Sequence, residues 1–294
     1  MKDSKLKCII ILSSKSSGSS ALQNLLANFP QVNHITKTRH FEYETLFWTK
    51  AASVLGLPQV DMLDSEVPIG KEKAKSDLVK LLKENIAVYT PPNDEKELIF
   101  VGWKLLCEKY SPVFLEKSPH HLHQWSALEL ILKCIEKFPE IDFLLIGLVR
   151  NPMAALYSSW DRMRADPEKN QYEWFTAYTN LMEFRSKVSD KLIIVRYEDL
   201  VRDVSCLEPV LNFIDVKASD NLRSYMHMKS VQKWRNDRFY GFRLSEEVTQ
   251  LAEKFGYGRD ELENESSTFW PLYKDASRSI HRVIRRTRRA LGSF

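Results

Sequence analysis

The stretch CIIILSSKSSGSSALQNLL, residues 8–26, decides how the rest of the chain is read. Its first five residues are apolar, three of them isoleucine, which is the composition of a strand buried on both faces. A serine-rich turn over residues 13–20 follows, with one lysine (Lys15) and one glycine (Gly18). Leu22, Leu25, Leu26 and Phe29 then repeat at helical spacing. A tight turn from strand into helix leaves the helix's first N–H groups unpaired and aimed at one spot. Together with the helix dipole they form an anion site. Ser16, Ser17, Ser19 and Ser20 add hydroxyl donors, Gly18 lets the backbone approach an anion closely, and Lys15 supplies a point charge. The nucleotide-hydrolase form of this turn, GxxxxGK[ST], needs a lysine after its second glycine. Here Ser19 follows Gly18 and the lysine precedes it, which argues against a magnesium-dependent nucleotidase. A serine-capped loop with no ligand is the plainer reading of the same residues.

Working outward, short apolar runs at residues 8–12, 98–103, 112–115, 143–149 and 192–196 read as strands with helical patterns between them, such as Leu128, Ile131, Leu132 and Ile135. Alternating strands and helices predict an α/β fold of three layers, a central mostly parallel sheet flanked by helices. Residues 65–72 and 91–97 carry the proline, glycine and charge of loops. With no repeat or low-complexity linker, a single domain over 1–275 is expected, followed by a basic amphipathic helix or tail over 276–294.

A second phosphate grip stands in FLLIGLVRNPMAALYSSW, residues 143–160. A buried strand ends in Arg150, Asn151 is suited to the N-cap, and Pro152 to the first helical position. Arg150 thereby falls at the carboxyl end of a parallel strand, where open α/β sheets bind ligands, and a guanidinium holds phosphate bidentately. Arg150-Asn151-Pro152, followed by five residues and then Ser158, resembles the 3′-phosphate motif of sulfotransferases that use 3′-phosphoadenosine 5′-phosphosulfate (PAPS), and residues 8–26 resemble the 5′-phosphosulfate loop of that family. Val195-Arg196-Tyr197-Glu198-Asp199-Leu200 is similar to the family's "RYEDL" segment. Residues 114–119 (FLEKSP) are similar to the "EKSP" stretch of its carbohydrate and bacterial members, and residues 230–235 (SVQKWR) resemble its late nucleotide-covering loop.

The resemblance covers roughly residues 8–240. It implies a P-loop-kinase-like fold, PAPS as donor cosubstrate, no metal, and phosphate contacts from Lys15, residues 16–20, Arg150 and Ser158. It further implies nucleotide contacts from Tyr197, Lys233 and Arg235, with Trp234 packed on the adenosine. Family members usually carry a lysine or arginine two residues before the loop glycine, where this chain has Ser16; Lys15, three before Gly18, is expected to do that work.

Transfer of a sulfonate to a hydroxyl requires a general base. The segment Thr38-Arg39-His40-Phe41-Glu42-Tyr43-Glu44 offers His40, Glu42 and Glu44 as rivals, with His120 or His121 in reserve. His120, His121 and His123 lack the i, i+4 spacing of a helical zinc pair and have no cysteine nearby, so no metal site is expected. Glu116 and Lys117 either line the cleft or pair with each other. Trp48, Trp125, Trp160 and Trp174 either line an acceptor cleft or pack the core.

Composition sets the outer bounds. The chain has 294 residues, 44% of them hydrophobic and 28% charged, as in an ordinary globular protein. No apolar run is long enough for a membrane span, and the four cysteines (Cys8, Cys107, Cys134, Cys206) are far apart, so reduced thiols and a cytoplasmic location are expected. The formal charge of +4 is concentrated at the C-terminus, because residues 276–294 hold six arginines and no acid. The slightly acidic remainder disfavours a nucleic-acid partner. The acceptor is expected to be a small metabolite, sugar or lipid. The tail's apolar stripe either packs on the domain or makes peripheral contact with a membrane. A kinase-like phosphotransferase and a non-catalytic nucleotide-binding protein are the alternatives.

Overall fold

The computed structural model describes residues 5–216, 231–264 and 267–290. Its centre is a five-stranded, all-parallel sheet built from β1 (Leu6–Ser13), β2 (Val32–His34), β3 (Val113–Lys117), β4 (Ile141–Val149) and β5 (Leu192–Arg196), in the order β2-β3-β1-β4-β5. β1 lies in the middle, paired with β3 from Lys7–Val113 to Ile11–Lys117 and with β4 from Leu6–Ile141 to Ser13–Leu148. Its isoleucines are fully buried, as a strand covered on both faces requires. The chain leaves β1 toward β2 and β3 on one side and later returns to β4 and β5 on the other. The carboxyl end of β1 is thus the point where the order reverses and a crevice opens.

The helices are α1 (Ser19–Leu26), α2 (Phe47–Val54), α3 (Lys71–Asn85), α4 (Glu95–Lys109), α5 (His120–His123), α6 (Trp125–Lys137), α7 (Pro152–Met163), α8 (Pro167–Val188), α9 (Tyr197–Arg202), α10 (Glu208–Phe213), α11 (Lys233–Asn236), α12 (Glu246–Lys254) and α13 (Trp270–Ala290). Four of the five expected strands are present, and residues 98–103 are a correction: they lie inside α4. Asp94 caps that helix by accepting from Glu97 N–H at 2.8 Å. Leu98, Ile99, Gly102, Trp103 and Leu106 are buried at helical spacing, while Val101 is exposed. The run itself is too apolar to show a period; the Asp94 cap before it and the helical spacing of buried positions past Trp103 separate it from a strand. The start of α4 also absorbs the end of the loop expected over 91–97.

The chain divides into two compact units. The first runs to Arg150 and resumes at Thr176, so it holds the whole sheet. The second is Asn151–Phe175 with the described residues from 231 onward. Its core gathers Met153, Leu156 and Trp160 of α7 with Trp234, Tyr240, Phe242 and Trp270. Asn151 caps α7 by accepting from Ala154 N–H, with Pro152 in the first turn, as the residue types dictate.

Candidate active site

In the first unit, the turn between β1 and α1 is left-handed at two residues, Ser16 (φ 61°) and Gly18 (φ 89°). A Cβ at Gly18 would stand 2.3 Å from a ring carbon of Tyr197, so the glycine serves both backbone and packing. The Tyr178 hydroxyl fixes the turn from beneath: it donates to the Leu148 carbonyl at 2.9 Å and lies 2.9 Å from Ser17 Oγ, which is 2.7 Å from Ser14 Oγ. Arg150, 6% exposed, donates from Nη1 to the Ser16 carbonyl at 2.9 Å and lies over the Tyr197 ring, 4.7 Å from its centroid. Ser17 therefore turns its hydroxyl inward, to Ser14 and Tyr178.

The other half of the crevice forms where β3 ends. Lys117 is buried, with Nζ 3.0 Å from Ser20 Oγ, 3.2 Å from Glu44 Oε1 and 3.9 Å from Glu42 Oε2. Ser20 Oγ donates to the Glu42 carboxylate. His120 Nδ1 stands 3.7 Å from Glu44 Oε2 and, though buried, has no hydrogen-bond partner among the described residues. Burial pushes the Glu44 carboxyl above its usual range, with Lys117 pulling the other way. Burial, with the Lys15 charge adding to it, holds the His120 imidazole well below its usual value, so it stays neutral.

A second buried network joins these two segments. Glu116 Oε1 accepts from Thr45 Oγ1 and Ser118 Oγ, both at 2.6 Å, and lies 3.3 Å from His121 Nε2. Ser118 Oγ accepts from the N–H groups of Thr45 and Leu46, and His121 Nδ1 is 3.0 Å from Thr49 Oγ1. Burial would raise the Glu116 carboxyl, but His121 and the Ser118 and Thr45 hydroxyls hold it below its usual range. Because successive strand residues point to opposite faces, Glu116 and Lys117 enter different networks, which removes the alternative that they pair with each other. The segment tied down in this way contains three non-glycine residues at positive φ: Glu42 (56°), Tyr43 (60°) and Leu46 (53°). Such conformations cost about 1–3 kcal/mol each and persist only where surrounding contacts enforce them.

Of the expected site residues, the structure brings Ser20, Glu42 and His120 together, along with the rival Glu44, and adds Lys117 at their centre. His40 pairs instead with Glu66, Nε2 to Oε1 at 3.1 Å. Lys15 donates from Nζ to the Leu63 carbonyl. Ser19 is buried at the start of α1. In the second unit, Ser158 lies half-buried on α7 and Lys233 is exposed. Arg235 donates to the Asp260 carbonyl at 2.6 Å. Trp234 is a correction: it is 2% exposed within that unit's aromatic core, not open for stacking on a base. Ser230, the start of the expected covering loop, lies outside the described residues.

The three histidines of α5 and its start diverge, and among the described residues no group of three His, Cys, Asp or Glu is placed to hold a metal. Trp48, Trp160 and Trp174 are core residues. Trp125 is half-exposed and lines a cleft of about 390 Å³ with Gln59, His123, Glu129 and Asn180. Lys117 and Tyr178 are the residues whose importance the sequence pattern understated. A lysine closing a doubly buried strand is the one signal that pointed to the first; Tyr178, one aromatic on a long helix, carried none.

A model of a sulfotransferase family matches residues 8–220. Among solved structures, the sulfotransferase domain from the curacin biosynthetic pathway is 18% identical, with a TM-score of 0.55 over 85% of this chain and 97% of its own. The sulfotransferase domain of the Synechococcus PCC 7002 olefin synthase is 21% identical, with a TM-score of 0.52 over 86% of this chain and 95% of its own. At these identities they establish a shared fold. No curated protein matches the chain.

Proposed function

The chain belongs to the sulfotransferase family, and on that premise we propose that it moves the sulfonate group of PAPS to a hydroxyl of a small-molecule, carbohydrate or lipid acceptor. The observation that carries this reading is the buried Lys117 ammonium, bonded to Ser20 at the start of α1 and flanked by two carboxylates, of which Glu44 also meets the imidazole of His120.

In such a transfer the acceptor oxygen attacks sulfur and the bond from sulfur to the bridging oxygen breaks. The electron pair leaves with adenosine 3′,5′-bisphosphate, and the acceptor's proton passes to a base. The N–H groups opening α1, with Lys117 and Lys15, supply positive potential where the leaving phosphate gains charge. Glu44 is the base: burial raises its affinity for a proton, and Lys117 with the strained 42–46 segment orients it. Glu42, bonded to Ser20, is its rival in the same assay. By resemblance, the 3′-phosphate is assigned to Arg150. Action in the cytoplasm accords with four cysteines that are all free thiols.

Sulfonate labelled with radioactive sulfur and presented as PAPS tests the proposal. Transfer to a hydroxyl acceptor, slowed on the order of a hundredfold in Glu44→Gln with bisphosphate binding intact, is expected. Tight ATP binding with no response to adenosine 3′,5′-bisphosphate would instead favour the kinase-like alternative. Bisphosphate binding without transfer to any acceptor would favour the non-catalytic one.

A further inference from the structure

Helix α13 is docked on the second unit by the opposite face from the one its sequence pattern would bury. Trp270 enters the aromatic core at 5% exposure, Lys274 pairs with Glu168 at 2.6 Å, and Arg278 pairs with Asp166 at 2.8 Å. At 100° per residue, Leu272, Ile280, Val283 and Ile284 fall together on another face. All four are exposed, as are Phe239 and Phe269 nearby in the same unit, at 46 to 73%. Phe239 stacks on Tyr273 of the helix, with ring centroids 5.1 Å apart, so the apolar surface extends past the helix itself. A helix that packs on its own domain buries such a stripe; this one presents it to solvent.

The charge of the same segment selects the occupant. Residues 276–294 carry six arginines and no acidic residue, and Arg278 and Arg282 fall on the side opposite the stripe. An exposed apolar face on a helix with an arginine-rich polar face is the pattern that lies in a lipid interface and favours anionic headgroups. Nucleic acid would leave the apolar face unused. A second copy packed through the same stripe would bring two arginine-rich segments together. Among the described residues no helix is long and apolar enough to cross a membrane, so the contact is with the surface. We infer that α13, with Phe239 and Phe269, docks this protein on the surface of an anionic membrane. The inference stands whether or not the sulfonate chemistry does.

Co-sedimentation of the full chain with vesicles tests it, using phosphatidylcholine alone and phosphatidylcholine mixed with phosphatidylglycerol. Binding to the anionic vesicles is expected, with little to the neutral ones, and weakening as salt rises toward about 1 M. Val283→Asp with Ile284→Asp should cut partitioning by about tenfold or more. Both side chains are exposed, so the melting temperature should not change. Arg282→Glu should weaken binding to anionic vesicles alone. No binding to anionic vesicles, or binding indifferent to the double substitution, would overturn the inference. So would a dimer in light scattering that the double substitution disperses while vesicles are ignored, which would assign the face to a second copy.

Discussion

The turn over residues 13–20 and the segment over residues 38–46 line the same crevice, yet they are built by opposite means. The first is local: a buried strand, a left-handed glycine and a helix start place N–H donors by geometry that a few consecutive residues dictate. The second is assembled. The stretch that holds Glu42, Tyr43 and Leu46 at positive φ is tied through Glu42, Thr45 and Leu46 to Ser20, Glu116 and Ser118, residues that come from α1 and the end of β3. An anion cradle is a property of a turn, whereas an acid–base site belongs to a tertiary network.

That contrast can be broken by substitution. The largest effect is expected at Lys117, which serves both halves: Lys117→Met should lower the rate of sulfonate transfer on the order of a thousandfold. Retention of most of the rate would remove Lys117 from the chemistry. Glu44→Gln should cost on the order of a hundredfold in kcat while leaving bisphosphate affinity nearly unchanged. An equal loss in Glu42→Gln but not Glu44→Gln would move the base by two residues.

Gly18→Ala tests the local half. The added methyl meets the Tyr197 ring and a left-handed backbone, so a loss of about 2 kcal/mol in chemical denaturation is expected, with weakened bisphosphate binding. Tyr178→Phe should cost about 1 kcal/mol, because the hydroxyl that links Leu148, Ser14 and Ser17 is gone. A loss in affinity much larger than the loss in stability would mean that Tyr178 shapes the turn more than it supports it.

The smallest effect is one of pH. His120 binds its proton more weakly folded than unfolded, so its contribution to stability is full above the ordinary imidazole value of 6.5 and is lost as pH falls from there toward the folded value. His120→Gln should therefore flatten the decline in stability between about pH 7 and pH 5. An unchanged slope would mean that the ring is not held neutral.

The same contrast explains what could be read from the chain unaided. The strands flanking the crevice announce themselves by composition, and Arg150-Asn151-Pro152 by the conformational demands of each residue type. Residues 98–103 did not, because a fully apolar run carries no period and only the cap at Asp94 and the pattern beyond Trp103 betray a helix. The choice among His40, Glu42, Glu44 and His120 depends on which of them reach Lys117, and no spacing in the sequence encodes that distance. Trp234 and the stripe of α13 show the same limit in reverse. An exposed-looking loop carries a core tryptophan, and an amphipathic helix turns its apolar face outward.

Calorimetric titration of adenosine 3′,5′-bisphosphate, run beside ATP, tests the donor assignment most directly. The bisphosphate is expected to bind at least about tenfold more tightly than ATP, without magnesium, and Arg150→Ala is expected to erase most of that preference. A chain that binds ATP more tightly than the bisphosphate, or whose preference survives Arg150→Ala, would contradict the two-phosphate grip on which the proposed chemistry depends.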